Sequence, residues 1–167
     1  SNVLLVDATD PNACAHFIDG QQPELNASRS ALWFHTASYS RIDLIDPQGA
    51  LPSPPLVIFG QPPAQERDWC WYYQSAALAR QREDWTRVLD LLHQAQSREL
   101  GPADPTEWLP FLRAAVELGD EDTIGMLTQR IRASRDAWLG VCVLAPPTNG
   151  LMLRPEYQSL CAPLDAQ

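Results

Sequence analysis

Hydrophobic positions in the middle of the chain repeat at an offset of 36 residues, counted from Tyr72 to Trp108. The matching positions are Tyr72, Ala76, Ala79, Val88 and Ala95 in the first copy and Trp108, Leu112, Ala115, Ile124 and Ile131 in the second. Helix-turn-helix repeats of about 34 residues show this kind of self-similarity, and they stack to bury one face of each helix. The pattern therefore predicts two tetratricopeptide-like helical hairpins over residues 67–134.

Capping residues stand at the expected ends of these helices. Asp68, Asp84 and Asp120 each precede an apolar run with helical spacing, and Gly119 suits the end of the third helix. Asp104-Pro105-Thr106-Glu107 combines a cap, a proline at the first helical position and a glutamate three residues after the cap. Pro110 would break a helix that began at Asp104, so we expect the regular helix to begin nearer Thr106.

The region before residue 67 has short β-type runs instead of helical spacing. These runs are Val3–Val6, Cys14–Ile18, Ser30–Phe34, Arg41–Ile45 and Leu56–Phe59, with Asp19-Gly20 as a turn dipeptide. Prolines separate the later runs and keep the connections extended. We predict an α+β fold, with a small N-terminal sheet of three or four strands packed on the helical hairpins. The divisions are a strand-rich lobe at 1–66, the hairpins at 67–134, and a partial helix and C-terminal tail at 135–167.

Charge and hydropathy argue against nucleic-acid binding and against a membrane-spanning helix in the sequence given. The formal net charge is −9 and all basic residues are arginine, so the basic surface needed for nucleic acid is not expected. The apolar runs Leu56–Phe59 and Leu139–Ala145 fall far short of the ~20 residues of a membrane-spanning helix. We expect a soluble piece. Ser1-Asn2 resembles the remnant of a removed tag, which is typical of a fragment from a longer protein.

Motifs for catalysis, cofactor binding or metal binding are not evident, and we assign no catalytic, cofactor-binding or metal-binding residue. Cys14-x-His16 with His35 is the best set of metal ligands, but three ligands from two loops are weak evidence. The acidic groups Asp43 with Asp46, and Asp120 to Asp122, are better explained by turns and caps.

The four cysteines, Cys14, Cys70, Cys142 and Cys161, contain no C-x-x-C pair. This spacing argues against a zinc site or a thioredoxin-type motif. Buried thiols and disulfides both remain open from the spacing alone.

An aromatic cluster surrounds the start of the first predicted helix. Trp71 and Tyr72, with Trp108 at the next hairpin, are candidates for a sugar-binding platform, because aromatic faces stack on sugar rings. Hairpin periodicity directs most tryptophans inward, so we favour a packing role for the cluster.

One long string in the chain is distinctive. It runs from Asp68 to Trp85, D-W-C-W-Y-Y-Q-S-A-A-L-A-R-Q-R-E-D-W, and is followed by E-W-L-P-F-L at 107–112. With the opening strand at 3–7, the cysteine-containing run at 14–19 and Leu160-Cys161, it resembles the soluble C-terminal region of bacterial polytopic membrane proteins. Those proteins are related to lipid-linked-sugar (dolichyl-phosphate-mannose-type) glycosyltransferases.

The resemblance implies an extracytoplasmic domain with a tetratricopeptide-like half. It implies no catalytic residue here, because the family's chemistry resides in its membrane-embedded part. It also implies at least one disulfide, involving Cys14 with Cys70 or Cys161 as partner, while Cys142 is expected to stay a thiol. Glu83, Val88 and Ile124 depart from the usual repeat residues, which argues against the usual groove binding of peptides.

These inferences lead to one main hypothesis. The chain is a non-catalytic accessory domain of a glycosyltransferase-like membrane protein, in contact with a protein partner, the parent membrane domain or a glycan. The alternatives are a free-standing helical-repeat adaptor that binds a peptide and, third, a carbohydrate-binding or carbohydrate-active domain.

Overall fold

The computed structural model describes residues 5–7, 13–18, 35–36, 39–41, 67–139, 142 and 155–161. Over this part of the chain the protein is a mainly helical domain of four packed helices. They are α1 (Trp69–Gln81), α2 (Trp85–Gln96), α3 (Leu109–Leu118) and α4 (Glu121–Arg132). Two shorter helices follow, α5 (Arg135–Leu139) and α6 (Pro155–Leu160).

Side-chain caps begin three of the four main helices, as predicted. The carboxylate of Asp68 accepts a hydrogen bond from the Trp71 N–H at the start of α1. In the same way, Asp84 accepts one from the N–H three residues on at the start of α2, and Asp120 does so at the start of α4. Each bond satisfies a backbone donor that the first turn leaves without an intrahelical partner. The predicted helices are confirmed, and no strand interrupts residues 69–98. The division of the chain at residues 66 and 134 stays a prediction.

The four helices share one hydrophobic core. Each main helix packs against the next along the chain, and α1 also packs against α3. The apolar stripe expected on α2 is buried and consists of Val88, Leu91, Leu92 and Ala95. Phe111 and Leu112 of α3 and Leu127 and Ile131 of α4 complete the centre. Burial of these faces, not helix propensity, is what stabilises helices of ten to thirteen residues.

The third helix begins later than the sequence suggested. Pro105–Trp108 forms a 3₁₀ helix, capped by the Asp104 carboxylate, and the α-helix begins at Leu109 instead of near Thr106. Pro110 explains the change, because it now lies in the first α-helical turn, where its missing N–H is not needed. The tighter 3₁₀ turn also directs Glu107 into the protein interior.

The sheet of three or four strands is not present among the described residues. These contain only β1 (Val6–Asp7) and β2 (His16–Phe17), an antiparallel pair with Val6 opposite Phe17. In a larger sheet, a neighbouring strand would bond the backbone next to β2. Here helix side chains bond that backbone instead, at the Cys14 N–H and the Ala15 carbonyl. The other predicted runs, at 30–34, 42–45 and 56–59, lie outside the described residues.

Two disulfides join distant parts of the chain. Cys14 bonds to Cys70 across 56 residues, and Cys142 bonds to Cys161 across 19. The expectation that Cys142 stays a thiol is therefore wrong. The reason is tertiary: the Leu160 carbonyl accepts hydrogen bonds from Trp138 Nε1 (3.1 Å) and Arg132 Nη1 (3.4 Å), which places the end of α6 beside Cys142.

Left-handed backbone ends three of the main helices. Gly119 has φ 69° after α3, and Glu83 and Glu99 have φ 57° in the turns after α1 and α2. Glycine adopts this conformation without penalty, whereas a residue with a Cβ does so at a cost. Glu83 thus occupies the backbone conformation for which a repeat protein usually has glycine.

Two glycines provide a matched test of this backbone argument. A Cβ added at either Gly119 or Gly125 meets no atom within 4 Å, so steric clash does not distinguish them. Gly119→Ala should lower the free energy of unfolding by about 1 kcal/mol, because alanine disfavours φ 69°. Gly125→Ala, inside α4, should raise it by about 0.5–1 kcal/mol. Urea denaturation with the disulfides intact measures both, and equal shifts of one sign would contradict the assignment.

Candidate functional site

A buried carboxylate joins the N-terminal segment, defined here as Ala13–Ile18, to the helices. Glu107 is 0% exposed. Its Oε1 accepts a hydrogen bond from the Cys14 backbone N–H at 2.7 Å, and its Oε2 accepts one from Trp69 Nε1 at 2.6 Å. Short bonds of this kind, with a charged acceptor, are stronger than neutral ones. They offset the cost of burying a carboxylate away from water.

The disulfide and an imidazole lie beside this carboxylate. Cys14 is bonded both to Glu107 through its N–H and to Cys70 through its Sγ. His16 Nε2 lies 3.6 Å from Glu107 Oε1, and its ring packs on Tyr73 at 5.2 Å between centroids. We call this group the Glu107 junction: Cys14, His16, Trp69, Cys70, Tyr73 and Glu107.

The N-terminal segment contacts the first turns of α1, and its residues His16–Phe17 are extended as β2. Besides the contacts of Cys14 and His16, the Gln74 side-chain amide donates to the Ala15 carbonyl at 3.3 Å. Cys14 and Ile18 are buried. Side chains of α1 and of the 3₁₀ helix therefore bond both a donor and an acceptor of the segment's backbone.

Two titratable groups in the described region have shifted pKa values. Burial raises the pKa of the Tyr73 hydroxyl well above its ordinary value, so Tyr73 stays neutral throughout the physiological range. Hydrogen bonds from the Thr123 side chain and backbone lower the pKa of Asp120. Asp120 therefore stabilises the fold at neutral pH, and this contribution is lost as pH falls through its lowered pKa.

The three residues of the candidate sugar platform are not presented together. Tyr72 is 3% exposed and Trp108 5% exposed, so both belong to the core. Trp108 packs on Trp69, with the Arg130 guanidinium over its ring at 4.7 Å. Trp71 is half-buried, and the Arg67 guanidinium lies over its ring at 4.3 Å. Cations and rings of the chain itself thus occupy these aromatic faces.

Other candidate groups have structural partners. Cys14 and Cys70 are both in a disulfide, so neither is available as a thiolate ligand or nucleophile. His35 packs edge-on against Tyr39. Asp120 caps α4, and Asp43 and Asp46 lie outside the described residues. Within the described ranges, no group of three histidine, cysteine or acidic side chains is arranged to hold a metal ion.

The sequence analysis missed the role of Glu107. Its position three residues after Asp104 is typical of a capping box, in which the glutamate bonds back to the cap. In the structure that carboxylate bonds to Cys14 and Trp69, which are 93 and 38 residues away in sequence. The available signal was its place in an otherwise apolar run with Trp108 and Leu109, where a charge is expected only if it is paired.

None of the helices in the described ranges is long and apolar enough to cross a bilayer. Comparisons with family models, curated proteins and solved structures found no match. The structure therefore defines the class directly: this is a small helical domain with two disulfides, consistent with an oxidising, extracytoplasmic location.

Replacing Glu107 tests the junction. Glu107→Gln should lower the free energy of unfolding by about 2–3 kcal/mol, because an amide NH₂ then faces a buried N–H donor and leaves it unbonded. Glu117→Gln is the matched control, since its bond to Arg113 is a surface i,i+4 pair worth only about 0.3–0.5 kcal/mol. Urea denaturation of the oxidised proteins measures both changes. Equal, small losses would mean that Glu107 does not hold the N-terminal segment.

Proposed function

We propose that this chain is a non-catalytic accessory domain on the extracytoplasmic side of a membrane, attached to a glycosyltransferase-like membrane protein and used for protein contact. The observation that carries the proposal is the pair of disulfides, which belong to an oxidising compartment. A tetratricopeptide-like pair of hairpins supplies the interaction surface in this proposal.

The residues that carry the family resemblance support this role. The W-C-W-Y-Y string forms the first turns of α1, where Trp69 bonds Glu107, Cys70 forms a disulfide, and Tyr72 and Tyr73 are buried. Glu107-Trp108 of the second string supplies the buried carboxylate and a ring that packs on Trp69. The distinctive positions therefore act in folding and in holding the N-terminal segment.

Protein contact is favoured over glycan contact by the environment of the aromatic rings. A sugar platform requires an open aromatic face, and Tyr72 and Trp108 are in the core. The helices instead bind an extended backbone, that of the N-terminal segment. The same face supports the adaptor alternative, which differs only in lacking a membrane parent.

The parent gene tests the membrane attachment. We expect the full-length gene to encode hydrophobic spans before this domain, and we expect the domain to be cleaved when intact cells or spheroplasts that express that gene are treated with protease. A cytoplasmic protein followed in the same samples controls for lysis. A start codon immediately before the region that encodes this domain, together with recovery in the soluble fraction, would favour the free-standing adaptor.

The aromatic positions separate protein contact from glycan binding. Tyr72→Ala should lower the free energy of unfolding by about 3–5 kcal/mol, as usual for a large buried aromatic, and Trp71→Ala by less because Trp71 is half-buried. Intrinsic fluorescence of the unmodified protein should not change on titration with oligosaccharides or lipid-linked-sugar analogues. A glycan-induced change that is lost in a stable Trp71→Ala variant would identify a carbohydrate-binding module instead.

A further inference from the structure

The N-terminal segment contacts the helices in the manner of a bound peptide. Its polar contacts run from backbone groups to helix side chains: the Cys14 N–H to Glu107 and the Ala15 carbonyl to Gln74. His16 adds a ring contact with Tyr73. On its other side the segment pairs with β1 over two residues, and the Ile18 N–H donates to the Leu5 carbonyl at 3.0 Å. Among the described residues, α1 and the 3₁₀ helix supply the helical face that the segment contacts.

The covalent contact of this segment differs from the others. Cys14–Cys70 ties the segment to the second residue of α1, across 56 residues of sequence. Cys14 is 4% exposed, whereas Cys70 is half-buried. Cys70 as a residue is therefore more exposed than Cys14, and we expect an incoming thiolate to attack its sulfur. Cys142–Cys161 joins two residues outside the segment and closes a shorter loop, so it serves as an internal control.

We propose that α1 and the 3₁₀ helix form a peptide-binding face that Ala13–Ile18 of the chain itself occupies, and that reduction of Cys14–Cys70 makes this occupant exchangeable. The partner that fits is an extended peptide of the same chemistry, with a backbone N–H opposite Glu107 and an imidazole or aromatic ring beside Tyr73. The inference rests on the protein-contact part of the proposed function and is independent of membrane attachment.

A dithiol supplies the two electrons that reduce the Cys14–Cys70 disulfide. One thiolate of the dithiol attacks the Cys70 sulfur, and the Cys14 sulfur leaves as a thiolate. The second thiol of the reductant then attacks the mixed disulfide, releases Cys70 and becomes a disulfide itself. Two electrons pass to the two cysteines, which take up two protons. The Cys14 N–H bond to Glu107 and the Gln74 bond then hold the segment without the covalent link.

Hydrogen exchange on the full chain tests local release. After mild reduction and alkylation, with alkylated sites assigned by peptide mass mapping, amide exchange within 13–18 should rise about tenfold or more. Exchange in α2, α3 and α4 should remain slow, and the helical circular dichroism should be retained. Loss of helix on reduction, or unchanged exchange at 13–18, would overturn the proposal.

Disulfide capture tests the face itself. The reduced full chain is reoxidised with oxidised glutathione in the presence of excess synthetic peptide of residues 13–18, and a peptide with its non-cysteine residues in shuffled order is the control. We expect the native-order peptide at Cys70 several times more often than the shuffled one, with no preference at Cys142 or Cys161. Equal capture of both peptides at Cys70 would rule the face out, whatever the protein's relation to a membrane.

Two variants identify the recognising groups. Glu107→Gln should reduce capture of the native-order peptide at Cys70 about tenfold, because it removes a charge-assisted bond to the peptide backbone. Gln74→Ala, at a half-buried position on α1, should reduce this capture by a smaller factor, and it tests the face separately if Glu107→Gln does not fold. Unchanged capture at Cys70 in Gln74→Ala, and in any folded Glu107→Gln protein, would contradict the assigned contacts.

Discussion

The buried carboxylate of Glu107 is the interaction on which the arrangement of the N-terminal segment depends. It accepts hydrogen bonds from the Cys14 backbone and the Trp69 indole, so one group holds an extended segment and the start of α1 at the same point. A buried charge without partners would be strongly destabilising, and the two short bonds are therefore a condition of the fold. The Cys14–Cys70 disulfide makes the same junction covalent.

The helical core and the junction divide the structural tasks. Apolar faces of the four helices supply burial, while the described N-terminal residues contribute only a two-residue strand pair and a few buried side chains. A disulfide across 56 residues restricts the unfolded chain more than one across 19. The disulfide and the Glu107 junction therefore keep the N-terminal segment attached to the helices. This arrangement supports the proposal that the segment occupies a binding face of the helical core.

Local patterns predicted the helices well. The capping residues Asp68, Asp84 and Asp120 and the glycine after α3 each depend on neighbours within one turn. The 36-residue offset compares two copies of such a local pattern. The start of α3 was misplaced because two local rules conflicted, the capping box at Asp104 and the break at Pro110. A 3₁₀ turn accommodates both, and periodicity alone does not distinguish such a turn from an α-helical one.

The sequence by itself determined where the helices lie and which of their faces are buried, because helix periodicity and capping are local properties of the chain. Only the tertiary structure decided the pairing of Cys142 with Cys161, the burial of Glu107 against Cys14 and Trp69, and the short ladder that pairs Val6–Asp7 with His16–Phe17 in the described part of the chain. Each of these joins groups far apart in sequence, so it depends on how the helices pack. No spacing rule within the chain carries that information.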